Sequence, residues 1–181
     1  MTHPSTWLAP GARAVAMGTL LVLTVAIAVY LGRQGKPLRE AVPGGILAYE
    51  FAWTRDGAQR LLNAWSADDL PAVLRRQLWW DFAFIAVYPL CLSMACALLA
   101  MTPHDRMAAV GVFIAWAVLL AAPLDATENV ALLRMMDAGA SDGLARLAGL
   151  CAGVKFVLVY SAFGYIVLQG ISVAAGHLGR G

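Results

Sequence analysis

From Ala14 to Leu31 the chain runs for eighteen positions without one charged side chain. Such a stretch has no polar face to turn to water. It is long enough to cross a hydrocarbon layer of about 30 Å as a nearly upright helix. A bilayer supplies no hydrogen-bond partners for backbone amides, so a segment of this kind must satisfy them internally. Three further apolar runs follow: Phe82 to Met101, Met107 to Leu124 with a helical pattern through Leu133, and a last one from near Leu144 to near Ala175. Composition points the same way: 61% of residues are hydrophobic and 13% charged, with mean hydropathy +0.71. Soluble domains are about half apolar and roughly a quarter charged. The expected fold is an all-α integral membrane protein, a four-helix transmembrane bundle. One membrane domain covers residues 1–181, with spans near 14–32, 80–101, 107–132 and 145–173. Ala26 and Ala28 have the small-x-small spacing of a signal-peptide cleavage site, but the apolar core is long for a signal and continues past them, so a retained span is expected.

The interval 33–79 is the longest polar one, and it is expected to hold short amphipathic, interfacial helices. Pro37, Pro43, Gly44 and Gly45 interrupt its start. Ile46 to Trp53 is an apolar patch too short to span a bilayer, and Glu50 interrupts it. Residues 55–65 carry Ala58, Leu61, Leu62 and Trp65 on one side, the pattern of an amphipathic helix. Asp68-Asp69-Leu70-Pro71 has the acid-then-proline order of a helix start, leading toward the second span. Trp79-Trp80 suits an interfacial aromatic belt. Residues 137–141 read as a turn. In the last run, Gly149 and Gly153 form a GxxxG spacing that lets two helices approach closely.

Basic residues set the expected orientation. Four spans place both termini and the 102–106 connection on one side, with Arg13, Arg106 and Arg180. The other side holds Arg33, Lys36, Arg39, Arg55, Arg60, Arg75, Arg76, Arg134 and Arg146. Three against nine puts the first and third loops in the cytoplasm and both termini outside, in an inner (plasma) membrane.

That orientation gathers the ionisable residues of the apolar runs at one depth. Asp125, Glu128 and Asn129 are three and four residues apart, so they share a helix face. Asp81 opens the second span, and Lys155 lies in the fourth. Charges beside hydrocarbon are costly and usually point into the bundle, where they find partners and mark a site. The expected site is a polar cytoplasmic-side pocket. Asp125, Glu128 and Lys155 are its catalytic candidates, and Asn129, Asp81, Tyr88, Tyr160 and Glu50 its substrate-binding candidates. Carboxylates outnumber the ammonium there. Either an arginine reaches in, a cation binds, or one acid holds a proton, and the last arrangement suits acid–base chemistry. The plainer reading makes Asp125–Lys155 a structural ion pair and Asp81 a helix N-cap.

Several classes are excluded. A net charge of +2 is too small to point to nucleic acid. Cys91, Cys96 and Cys151 sit in apolar runs with no CxxC pair, which suits buried hydrophobes better than disulfides or thiolate metal sites. His3, His104 and His177 fall in the termini or a loop, so no metal or haem cofactor is expected. No phosphate-loop, dinucleotide, HExxH or GxSxG motif occurs. The partners expected are membrane lipids, an amphiphilic small molecule, or a second membrane protein chain, this one or another. The function expected is binding or acting on a lipid or other amphiphile. The alternatives are a non-catalytic subunit or assembly protein with structural acids, and a proton- or cation-coupled transporter. The residues alone do not divide enzyme from binding protein.

Overall fold

A computed structural model describes residues 8–66, 69–101 and 107–178, with backbone only at 173, 174 and 176–178. The described residues form helices, turns and no strand. Four helical stretches are long and apolar enough to cross a membrane: Pro10–Gln34, Leu70–Leu99, Ala108–Ala138 and Asp142–Ser172. The first is α1 (Pro10–Gln34). Short helices α2 (Lys36–Ala41), α3 (Ile46–Glu50) and α4 (Arg55–Ala64) follow. The second stretch is α5 (Leu70–Ile85) continued by α6 (Tyr88–Leu99). The third is α7 (Ala108–Ala117) and α8 (Ala121–Ala138), joined by a 3-10 turn at Val118–Leu120. The fourth is α9 (Asp142–Leu178).

These helices are longer than the apolar runs that announce them. Pro10, expected in an irregular lead, takes the first turn of α1, where its missing N–H costs nothing. The second stretch begins at Leu70, at the helix start expected from Asp69-Leu70-Pro71; Pro71 occupies its first turn, and the helix continues through Ile85 into the apolar run. Asp69 stands at the N-cap but makes no side-chain capping bond. Asp68, His3, His104 and the 102–106 connection lie outside the described residues, as does the side chain of His177.

Proline sets both interruptions. The ring of Pro89 conflicts with the carbonyl four residues back, and the helix breaks at Ala86–Val87. Pro123 has the same effect on its own preceding turn, which tightens to the 3-10 turn at Val118–Leu120. The two interruptions lie at similar depth. Tyr88 just after the first bonds Asp125 just after the second.

Helices α8 and α9 make the most extensive contact, while α1 packs more loosely on α5 and α6. Two apolar cores result. One includes Leu74, Leu78, Leu132, Met135, Ala145 and Ala148, together with Leu38, Tyr49, Ala58 and Trp65 from the 36–65 segment. The other includes Ile85, Leu92, Ala115, Val118, Ala162 and Tyr165. The segment between α1 and α5 is thus folded onto the bundle end. Its polar groups are tied down: Tyr49 Oη donates to the Leu132 carbonyl (3.1 Å), Trp65 Nε1 to the Leu38 carbonyl (3.1 Å), and Arg55 N to Asp142 Oδ1 (2.7 Å). Helix α4 has the amphipathic face expected, with Ala58 and Trp65 buried, and Thr54 caps its start by accepting from Gly57 N. Trp79 and Trp80 lie on the outer surface, Trp80 edge-on to Tyr30 at 5.0 Å.

The GxxxG pair does not join two helices. A Cβ on Gly153 would meet nothing, whereas one on Gly149 would lie 2.9 Å from the ring of Trp53. Gly149 is the seat of that indole. The close approach between α7 and α9 is instead at Gly111, where a Cβ would fall 2.1 Å from Tyr165 Oη. Trp53 has φ +58°, a left-handed conformation costly for a bulky residue. Its contact with Gly149 helps to hold it. Gly149→Val is therefore expected to lower the thermal stability of the purified protein by about 1–3 kcal/mol, because the ring cannot stay where it is. Trp53→Ala in the Gly149→Val background should recover part of that loss; no recovery would refute the seating.

Candidate functional site

Between the two apolar cores lies a layer of charge. Along α5 it follows Leu78 at Asp81. Along α8 it comprises Asp125, Glu128 and Asn129, before Ala131. Along α9 it is Lys155, between Ala148 and Ala162. Helix rise places these residues together: Asp81 is eleven residues from Leu70, Glu128 ten from Ala138, and Lys155 thirteen from Asp142, hence about 15–20 Å from one bundle end. A sixth group arrives from outside the long helices. Helix α3 is a single turn, and its last residue, Glu50, is carried inward to the same layer.

Lys155 is the centre. Its Nζ lies 2.8 Å from Asp125 Oδ1, 2.8 Å from Glu128 Oε2 and 3.8 Å from Glu50 Oε2. It also sits 5.1 Å from the centre of the Phe156 ring, within cation–π range. Asp125 takes a second bond from Tyr88 Oη at 2.8 Å, which orients both of its oxygens. Asn129 Nδ2 donates to Asp81 Oδ2 at 2.7 Å, tying α8 to α5. Asp125, Glu128, Asn129, Lys155 and Glu50 are all buried, and Glu128 is 0% exposed.

The structure thus unites seven of the eight residues singled out by sequence: Asp81, Asp125, Glu128, Asn129, Lys155, Tyr88 and Glu50. It does not bring Tyr160 into the layer. That residue lies on the outer face of α9, 67% exposed, stacked on Phe156 at 5.7 Å. Asp81 is not a helix N-cap, since it stands well inside α5. None of the arginines considered as neutralising partners enters. Arg75 pairs instead with Asp137 at the bundle end, where both are about half exposed. Phe156 and Phe51 border the cluster and escape sequence reading, because an aromatic in an apolar run carries no mark of what it faces. The adjacency of Phe156 to Lys155, and of Phe51 to Glu50, was the available hint.

The charge balance is unequal. Three carboxyl groups surround one ammonium, and a fourth, Asp81, joins the layer through Asn129. Burial of that many ionised acids is unfavourable unless each is paired and hydrogen-bonded. Glu128 has no hydrogen bond at either oxygen beyond its ion pair, and Glu50 Oε2 has none either. The two carboxyls face each other. One shared proton would supply the missing bond. Burial pushes the Glu50 carboxyl above the usual glutamate range, the nearby Lys155 ammonium opposes this, and the neighbouring Asp125 charge adds to it. Among the described residues no group of His, Cys, Asp and Glu is placed to hold a metal ion. The point where the carboxylates converge belongs to the Lys155 ammonium.

A separate recess of about 310 Å³ opens between α4, α5 and the end of α8, lined by Gln59, Asn63, Trp65 and Met135 among others. Its described lining carries no ionisable side chain.

No family model, curated protein or solved structure matches this chain. The site is therefore read from its own geometry.

A group whose pKa rises on folding contributes stability that is complete below its unfolded value and is lost as pH climbs through the folded value. Glu50 is such a group. Stability in neutral detergent should fall as pH increases above 4.5, the usual glutamate value, and Glu50→Gln should flatten that slope. Thermal unfolding across pH for both proteins checks this. An identical slope in Glu50→Gln would move the retained proton to another acid.

Proposed function

We propose that this is a small multi-pass membrane protein whose carboxylate–lysine layer binds, or acts on, the polar head of a lipid or other amphiphile. The carrying observation is the convergence of Asp125, Glu128, Lys155 and Glu50 from three separate helices on one buried point between two apolar cores, with Asp81 of a fourth helix joined to them through Asn129. A fold needing only to pack its helices would be served by apolar contacts at less cost, since buried ion pairs seldom add net stability. In this reading Asp125 is a fixed acceptor, held by Tyr88 and Lys155. Glu50 and Glu128 share a proton that can be given or taken, and Asn129 orients Asp81. If a reaction occurs, Glu128 is its acid–base group and Lys155 steadies developing negative charge. The end bearing residues 35–66 faces the cytoplasm of an inner membrane in this reading, supported by nine basic residues against three.

A second reading, a structural or assembly role, is favoured by one observation: Lys155 already engages three carboxylates, leaving the cluster internally paired. Transport has less support, because the second apolar core closes the layer from the opposite bundle end.

Native mass spectrometry of protein extracted with its lipids separates the first two. The ligand-site reading expects a defined amphiphile on the wild type that is lost from Asp125→Asn, while both proteins remain folded. Equal occupancy of the two, or retention of the same partner chain by both, would favour the structural role.

A further inference from the structure

We infer that the ligand of this site is a cationic amphiphile: its ammonium or guanidinium head enters the acidic layer, and its apolar tail lies on an aromatic strip outside α9. The inference rests on the proposed reading of the layer as an amphiphile site and adds the charge of the head and its route.

The acceptors come first. Three carboxyls converge on one cation, and Asp81 adds a fourth to the layer through Asn129. Glu128 is fully buried, and beyond its Lys155 ion pair the proton shared with Glu50 is the one donor available to its oxygens. An incoming cation with N–H groups would take the place of that proton and reduce the negative charge that remains in surplus. An anionic head would add to that surplus, and a neutral one would leave it. Lys155 already illustrates how the layer holds a cation, through carboxylate oxygens at 2.8 Å and the face of Phe156 at 5.1 Å.

The strip is the second, independent feature. Phe51 stacks on Phe156 with centres 5.8 Å apart, and Phe156 on Tyr160 at 5.7 Å. Phe51 follows Glu50 and Phe156 follows Lys155, so the strip starts at the charged layer. It ends at Tyr160, which is open to the outside. In a spanning helix that outside is hydrocarbon. A head moving inward from Tyr160 past Phe156 would meet aromatic faces and then carboxylates.

The third feature is the element that closes the layer. Glu50 has the longest of the three ion-pair contacts to Lys155, at 3.8 Å. It is borne on one helical turn between Gly44 and Gly45, with φ of +89° and +53°, and Trp53 at +58°. Withdrawal of this turn is the smallest displacement that opens the carboxylates, since every other member of the layer is on a long helix.

The test uses three amphiphiles with one tail: dodecylamine, dodecanol and dodecanoate, each added to the full chain in neutral maltoside detergent. Binding is read by thermal shift and native mass spectrometry. Dodecylamine should bind at one per chain and raise the melting temperature, with Glu128→Gln weakening it about tenfold or more through loss of one charge-assisted contact. Tyr160→Ala, on an exposed side chain that leaves both cores intact, should weaken dodecylamine while leaving butylamine unchanged. Dodecanol or dodecanoate binding as tightly as the amine, with the same sensitivity to Glu128→Gln, would overturn the cationic assignment and leave an amphiphile site standing. Binding of none of the three would overturn both. Unaltered dodecylamine affinity in Tyr160→Ala would overturn the strip as its route.

Discussion

One ammonium among four carboxyl groups governs this protein. Lys155 holds α9 to α8 through Asp125 and Glu128, and it holds the α3 turn through Glu50. In an apolar surround each of these charges would be prohibitive alone. Together they are tolerable only while all remain in place, because removing one partner leaves another buried and unpaired. The layer therefore demands a rigid frame. The rest of the structure supplies it: an apolar core on each side, and a folded segment across the near end.

The two prolines belong to the same economy. Pro89 and Pro123 each weaken a helix in the middle of the bundle, where intact hydrogen bonding would be expected to matter most. Both weak points lie at the charged layer, and the Tyr88–Asp125 bond spans them. A bent helix can aim a side chain that a straight one would carry past its partner. The same holds on a smaller scale for the 44–53 turn, where two glycines and a left-handed tryptophan redirect the backbone so that Glu50 points inward. Backbone irregularity collects where polar side chains need placing, and regular helix fills the remainder.

Much of this was legible from residue order, for definite reasons. Apolar runs of bilayer length read as helices because the backbone has few other options in hydrocarbon. Asp125, Glu128 and Asn129 fall on one face because helix geometry is regular over so short a distance. Their partnership with Lys155 and Asp81 followed from depth alone, once the spans were taken as antiparallel. The helix start at Leu70 was legible in the acid-then-proline order before it, although the apolar run begins only near residue 80; a helix stops for want of backbone bonds, not for want of apolar residues. The failures have equally definite causes. Tyr160 lies five residues from Lys155, and five residues along a helix turn a side chain to another face, so it stands outside the layer. The GxxxG spacing suggested a helix partner, and the occupant proved to be an indole from the 44–53 turn.

What the sequence alone determined is the all-helical class, the presence of four helices long and apolar enough to cross a membrane, and the ionisable residues set within them. These depend on local composition and on the fixed pitch of a helix. What only the tertiary structure decided is which charges meet. Glu50 interrupts a short apolar patch within the longest polar interval, and nothing within its own neighbourhood fixes its contact with Lys155. That placement arises from Tyr49 and Trp65 docking in the near core and from the bend at Gly44 and Gly45. The arginines, equally available by charge, stay at the bundle end, where Arg75 finds Asp137 in a more exposed setting. Pairing at a distance depends on which surfaces pack, and packing is a property of the assembled chain rather than of any stretch of it.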